Sequence, residues 1–222
     1  MTDAVDGDSD PIGTTDPESL PMFPLGTVLM PTGLLPLRLF EPRYLRFIED
    51  VLAAGNGFGV VLIERGSEVG GGDQRCMIGC RAVVHRADQA LDGTWQVLAI
   101  GTERIEVVDW LADDPYPRAL VRPLPDRSSP VAADDDPRWL ELDTSFRHLV
   151  RLVSERTGRG PIEEIELADD PALATFQMAA VLPLNPFDRQ RILASCDVDE
   201  RRRILLECFE DLAVLVSGEE NH

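Results

Sequence analysis

The residues that could do chemistry in this 222-residue sequence are four cysteines (Cys76, Cys80, Cys196, Cys208), two internal histidines (His85, His148), the triplet Arg201-Arg202-Arg203 and several acidic runs. Cys76 and Cys80 lie four apart in a strand-like run. They therefore share a face at about 13 Å, too far for a disulfide. No pair has the CxxC spacing of a zinc site, which leaves reduced thiols in a cytosolic protein. Neither histidine has a serine, cysteine or acid beside it in a triad-like pattern, and no HExxH occurs. The acidic runs (Asp113-Asp114, Asp134 to Asp136, Glu163-Glu164, Asp169-Asp170) sit beside predicted turns and helix starts. There they solvate loops and complement helix dipoles rather than form acid–base pairs. The arginine triplet reads as a solvated helix face, because no aromatic residues interleave it as in a nucleic-acid site. GSEVGGGDQ precedes a hairpin pattern and not a helix, so it connects strands and does not cradle a dinucleotide. No catalytic, cofactor-binding or metal-ligating residue is predicted.

Composition narrows the function further. A net charge of −19 repels phosphate backbones and anionic headgroups, which argues against nucleic acid and membrane surfaces as partners. All 21 basic residues are arginine. Without lysine the sequence cannot supply a P-loop GxxxxGK[ST], a Schiff base or a Ser–Lys dyad. The start, MTDAVDGDSDP, lacks the basic and apolar regions of an export signal, and the apolar runs are too short to span a bilayer. A cytoplasmic location is expected.

The elements that must position any site fall into two groups. Residues 1–19 are acidic and have little to bury, as in a disordered tail. Residues 20–125 are mostly of period two. Strands are predicted at 23–30, 34–40, 58–64, 75–87, 95–110 and 116–124, with Leu91-Asp92-Gly93 as a hairpin turn and Gly101 as a bulge or bend. One helix interrupts them, from Pro42 to a stop at Gly55, with Tyr44, Leu45, Phe47, Ile48, Val51 and Leu52 as its apolar stripe. Residues 126–136 are a linker by composition. Four helices follow within 137–217, and Asp197 with Glu200 suggests a capping box for the last. The fold class is α+β, a small curved, mainly antiparallel sheet or barrel followed by an α-helical lobe.

The strand-to-helix junction Phe40-Glu41-Pro42-Arg43-Tyr44 remains. Glu41, Arg43 and Arg46 are either a recognition cluster or, the favoured reading, local ion pairs that fix the helix angle. Leu34, Phe40, Glu41, Arg43 and Tyr44 are the candidate interaction surface, with residues 183–187 as a second candidate near the helical lobe.

The order of motifs carries a resemblance. PMFPLGTVLMPTGLLPLRLFEPRYLRFIED, GFGVVLIERGSEVG, IGCRAVVHRADQALDGTWQVLAIGTERIEVVDW, YPRALVRPLPD and AAVLPLNPFDRQRILASCDVDERRRILLECFEDL together resemble the N-terminal, substrate-binding domain of Lon proteases. They are similar in particular to stand-alone bacterial proteins carrying that domain. The resemblance spans residues 20–216. It implies a six-stranded PUA-like pseudo-barrel with one inserted helix, closed by a helical bundle, and a role in recognising protein substrates. In Lon itself an ATPase module unfolds and a Ser–Lys dyad cleaves. Neither can be carried over to any position of a sequence without lysine. The expected function is a non-catalytic module that binds unfolded or partner proteins through apolar patches on the barrel and the inter-lobe cleft. The alternatives are an accessory subunit acting with an ATP-dependent protease in trans, an enzyme with an unrecognised site, and a PUA-like RNA binder, which the charge disfavours.

Overall fold

The computed structural model describes residues 16–65, 74–127, 136–158 and 165–218. The predicted acidic tail up to residue 15, most of the Gly-rich loop, most of the linker and the start of the acidic loop lie outside the described residues. The chain runs β1 (Glu18–Leu25), β2 (Leu34–Leu39), α1 (Pro42–Ala54), β3 (Phe58–Arg65), β4 (Gln74–Gln89), β5 (Trp95–Leu111) and β6 (Arg118–Pro123). It continues through α2 (Pro137–Thr157), α3 (Pro171–Val181), α4 (Pro186–Ala194) and α5 (Val198–Ser217). The sheet order is β2-β5-β4-β3-β1-β6, and β6 pairs back onto β5, so five strands close a ring and β2 is left outside it.

Five of the six pairings are antiparallel, as expected; β1 and β3 run parallel because β2 and α1 carry the chain back between them. β1 corrects the predicted bounds of the first strand. It starts at Glu18 because Glu18 to Pro21 pair with Val121 to Arg118, a partner that local periodicity does not reveal. It ends at Leu25, and Val28 and Met30 turn instead into the core under the helices. Gly101 is the bend that was expected. A β-carbon there would lie 2.2 Å from the Met30 carbonyl oxygen, and the β4–β5 register shifts opposite it. That bend lets one long strand serve both β2 and β6.

α1 forms where Pro42 presets the first turn and Gly55, at φ 70°, ends it. Its Tyr44, Phe47, Ile48 and Val51 are buried at helical spacing. Phe47 sits within 5.2–5.4 Å of the Phe23, Phe58 and Tyr116 rings, which are tilted or edge-on to it. Tyr116 donates to Asp50 Oδ2 at 2.9 Å and so ties the helix to the loop before β6. Side chains of α2, α3, α4 and α5 share one core with Val28, Met30, Leu62 and Cys76 of the barrel half. The helical lobe therefore packs on the barrel as one body.

Helix starts follow the sequence closely. Asp136, Asp170, Asn185 and Asp197 cap α2, α3, α4 and α5 through their side chains. The predicted capping box is half present, since Asp197 accepts from the Glu200 N–H but the Glu200 carboxylate takes the Ser195 hydroxyl.

The arginine triplet requires a correction. Arg201 is fully buried, because α5 turns that residue toward β5 and the segment after β6. Its guanidinium grips Asp126 in two hydrogen bonds of 2.5 and 2.7 Å, and Arg104 from β5 meets the same carboxylate at 2.6 Å. The remaining donors go to Ser195 and Leu193 carbonyls and to Thr175 Oγ1, while both guanidiniums face the Phe176 ring. Asp126, assigned to a linker by composition, is thus the joint between the lobes. Arg127 N donates to Cys196 O at 2.9 Å beside it.

Two stability measurements check this packing. Phe47→Ala should lower unfolding free energy by about 3–5 kcal/mol in urea titration. Asp126→Asn should cost about 3–5 kcal/mol, because it strands two buried cations with half a partner. A loss below about 1 kcal/mol in either variant contradicts the assignment.

Candidate functional site

Among the described residues β2 pairs only with β5, and its alternation buries Leu35 and Leu39 while Leu34, Pro36 and Arg38 face outward. Phe40, just past the strand, is exposed too. Gly101 N–H donates to Gly33 C=O, which fixes the backbone alternation. The polar groups of Leu35, Leu37 and Leu39 turn to β5, and those of Leu34, Pro36 and Arg38 turn to the open edge. Pro36 has no N–H to offer there, so the edge resists addition of another strand.

The register across β2, β5 and β4 assembles an outward face from distant residues. Leu34, Ile100 and Val83 form one row; Pro36, Leu98 and Arg86 the next; Arg38, Gln96 and Asp88 the third. A shallow cavity of about 590 Å³ lies over the second and third rows. Leu34 is 66% and Val83 41% exposed, and Ile100 and Leu98 are half-buried, so a graded apolar patch stands on rigid strands. At its charged end Arg86 pairs with Asp88 at 2.6 Å.

The predicted surface residues divide. Leu34 and Phe40 are exposed as a binding surface requires. Tyr44 is only 7% exposed and packs on Phe23, so it belongs to the core. Arg43 pairs with Glu41 at 3.0 Å and covers the Tyr44 ring, which supports the favoured ion-pair reading of that junction. Within the second candidate, residues 183–187, Phe187 is exposed; just before it, at the end of α3, Val181 is exposed and Leu182 is buried. The sequence reading missed Pro36, Val83, Leu98 and Ile100, because cross-strand register is needed to see them together. The signal available was the alternation of residues 34, 36, 38 and 40.

A cavity of about 470 Å³ between α4, α5 and the segment after β6 carries Arg127, Arg191 and Arg203 against Asp197, Glu200 and Glu207, a balanced set with an Arg191–Glu207 pair at 3.0 Å. The His85 side chain makes no hydrogen bond among the described residues, and His148 accepts from Arg151 at 2.9 Å. No group of three or more His, Cys, Asp or Glu among the described residues is arranged to hold a metal ion. No helix among them is long and apolar enough to cross a membrane.

The family profile described as the ATP-dependent protease La (LON) substrate-binding domain matches residues 19–211. The chain belongs to this family. A crystal structure of a Lon N-terminal domain protein from Xanthomonas campestris superposes with a TM-score of 0.64 at 26% identity, covering 86% of this chain and 98% of that one. The N-terminal domain of a Mycobacterium avium complex Lon protease shares the fold with a TM-score of 0.61 at 18% identity, covering 87% of this chain and 99% of that one. Lon protease 2 of Herpetosiphon aurantiacus is 32% identical over 211 residues, covering 93% of this chain and 25% of its own length. The chain thus spans about a quarter of the length of that Lon protease.

In this Lon-type domain the four thiols are free. Burial, reinforced for Cys76 by the hydrogen bond to Glu64, pushes Cys76 up to about 12. Burial alone dominates at Cys80, also pushed up to about 12, and at Cys208, pushed up to about 11. These thiols are held neutral and make poor nucleophiles. The unfolded chain releases their protons near pH 9 while the fold retains them, so their contribution is complete below pH 9 and is lost as pH rises toward 11–12. Urea titrations between pH 8 and 10 should show falling stability, with a limiting slope of about 1.4 kcal/mol per pH unit for each thiol. Cys80→Ala should flatten the slope; an unchanged slope contradicts this account.

Proposed function

We propose that this chain is a non-catalytic recognition module that binds unfolded or partly unfolded proteins on the outward face of β2, β5 and β4. The observation that carries this is the apolar row Leu34–Ile100–Val83, left open on an otherwise closed and well-packed barrel. Exposed apolar side chains on a rigid surface are what unfolded segments recognise, because such segments expose apolar groups of their own. Family membership supports the reading, since the domain is described as substrate-binding. Catalysis has no support: the sequence contains no lysine, and three of its thiols are held protonated. A net charge of −19 disfavours nucleic acid and anionic membranes as partners, and four free thiols fit a reducing cytoplasm.

Fluorescence anisotropy with a labelled, permanently unfolded protein tests the proposal. Binding should be saturable, and Leu34→Ser with Val83→Ser should weaken it at least about five-fold, in line with loss of two partly exposed apolar contacts. Peptide turnover should stay flat with and without ATP. Absent binding, or binding indifferent to the double variant, contradicts the proposal.

A further inference from the structure

The face just described is graded in charge as well as in polarity. Its rows lie two residues apart along β2 and β5, about 6.6 Å, and a register shift in β4 sets Arg86 three residues after Val83. The first row, Leu34–Ile100–Val83, is wholly apolar; the second adds Arg86 to Pro36 and Leu98; the third sets Arg38 and Asp88 beside Gln96. Asp88 is taken by Arg86 at 2.6 Å. Asp92, at the β4–β5 turn, accepts from Thr94 N and Oγ1 and feels Arg38 only through space. Arg38 itself is exposed and makes no hydrogen bond or ion pair within 4 Å among the described residues. In a chain of net charge −19, this is a cation without a close carboxylate at one end of an apolar patch.

An extended chain lying over the strands presents alternate side chains at the spacing of these rows. Pro36 denies such a chain a continuous ladder at the edge of β2, so contact must come through side chains on the face. We propose that the face reads an extended polypeptide segment of the pattern apolar-x-apolar-x-acid, its apolar side chains on the first two rows and its carboxylate on Arg38. This rests on the recognition role proposed above and names the class of segment recognised. A segment rich in acids is repelled by the whole chain, whereas one carboxylate aimed at Arg38 is attracted.

The test uses the full chain and two labelled, end-blocked peptides that differ only at the last core position, Leu-Ser-Val-Ser-Glu and Leu-Ser-Val-Ser-Gln. The Glu peptide should bind about three-fold tighter at low salt, the scale of one exposed ion pair, and lose that advantage in 1 M salt. Arg38→Gln should erase the difference between the two peptides, while Leu34→Ser should weaken both. Equal binding of the two peptides, or a preference that survives Arg38→Gln, overturns the proposal. So does failure of both peptides while an unfolded protein still binds, which leaves the recognition role standing. Loss of unfolded-protein binding as well defeats that role itself.

Discussion

The carboxylate of Asp126 stands between two buried guanidiniums, one from the long central strand and one from the last helix, and the relation of the two lobes depends on that arrangement. Burial depresses the pKa of Arg104 and the neighbouring Arg201 adds to this, while Asp126 opposes both. Arginine stays charged in proteins, so both cations must find their compensation locally. One anion for two cations is an incomplete balance. Backbone carbonyls of Leu193 and Ser195 and the face of Phe176 complete it, and all of them belong to the helical lobe. The barrel therefore cannot separate from the helices without taking Asp126 from one of the two arginines, and the shared apolar core works in the same direction.

Such a joint has a consequence for recognition. The closed ring spends most of its strands on its own core and on the helices, and of the six described strands β2 hangs outside it. The outer side of β2, with the adjoining halves of β5 and β4, is left uncovered as a face whose geometry is set by backbone pairing. The proposed recognition needs no moving part. Groups held by strands lose little freedom on binding, which is how a modest apolar patch becomes useful.

Much of this was legible in residue order. The switch from period two to period 3.6 after residue 136 separated barrel from helices. Pro42 and Gly55 bounded α1, Gly101 marked the bend, and acidic runs and Asp197 marked helix starts. What was not legible came from tertiary pairing. Glu18 belongs to a strand only because β6 lies beside it. Arg201 was indistinguishable in sequence from its neighbours Arg202 and Arg203, yet of the three only Arg201 is fully buried. Asp126 sits in a turn-rich run that reads as linker, and composition cannot show that two arginines converge on it. Tyr44 illustrates the opposite error, a residue chosen for a surface because it lies at a suggestive junction, although its place in the α1 apolar stripe already directed it to the core.

Placing recognition on the β2–β5–β4 face is the central claim, and amide chemical-shift mapping during titration with an unfolded polypeptide tests it most directly. The account predicts shifts concentrated at residues 34–40, 83–88 and 96–100, with the α3–α4 turn and the charged cleft beside Asp126 unchanged. Shifts centred on either of those two regions, or spread without focus over the barrel, would contradict it.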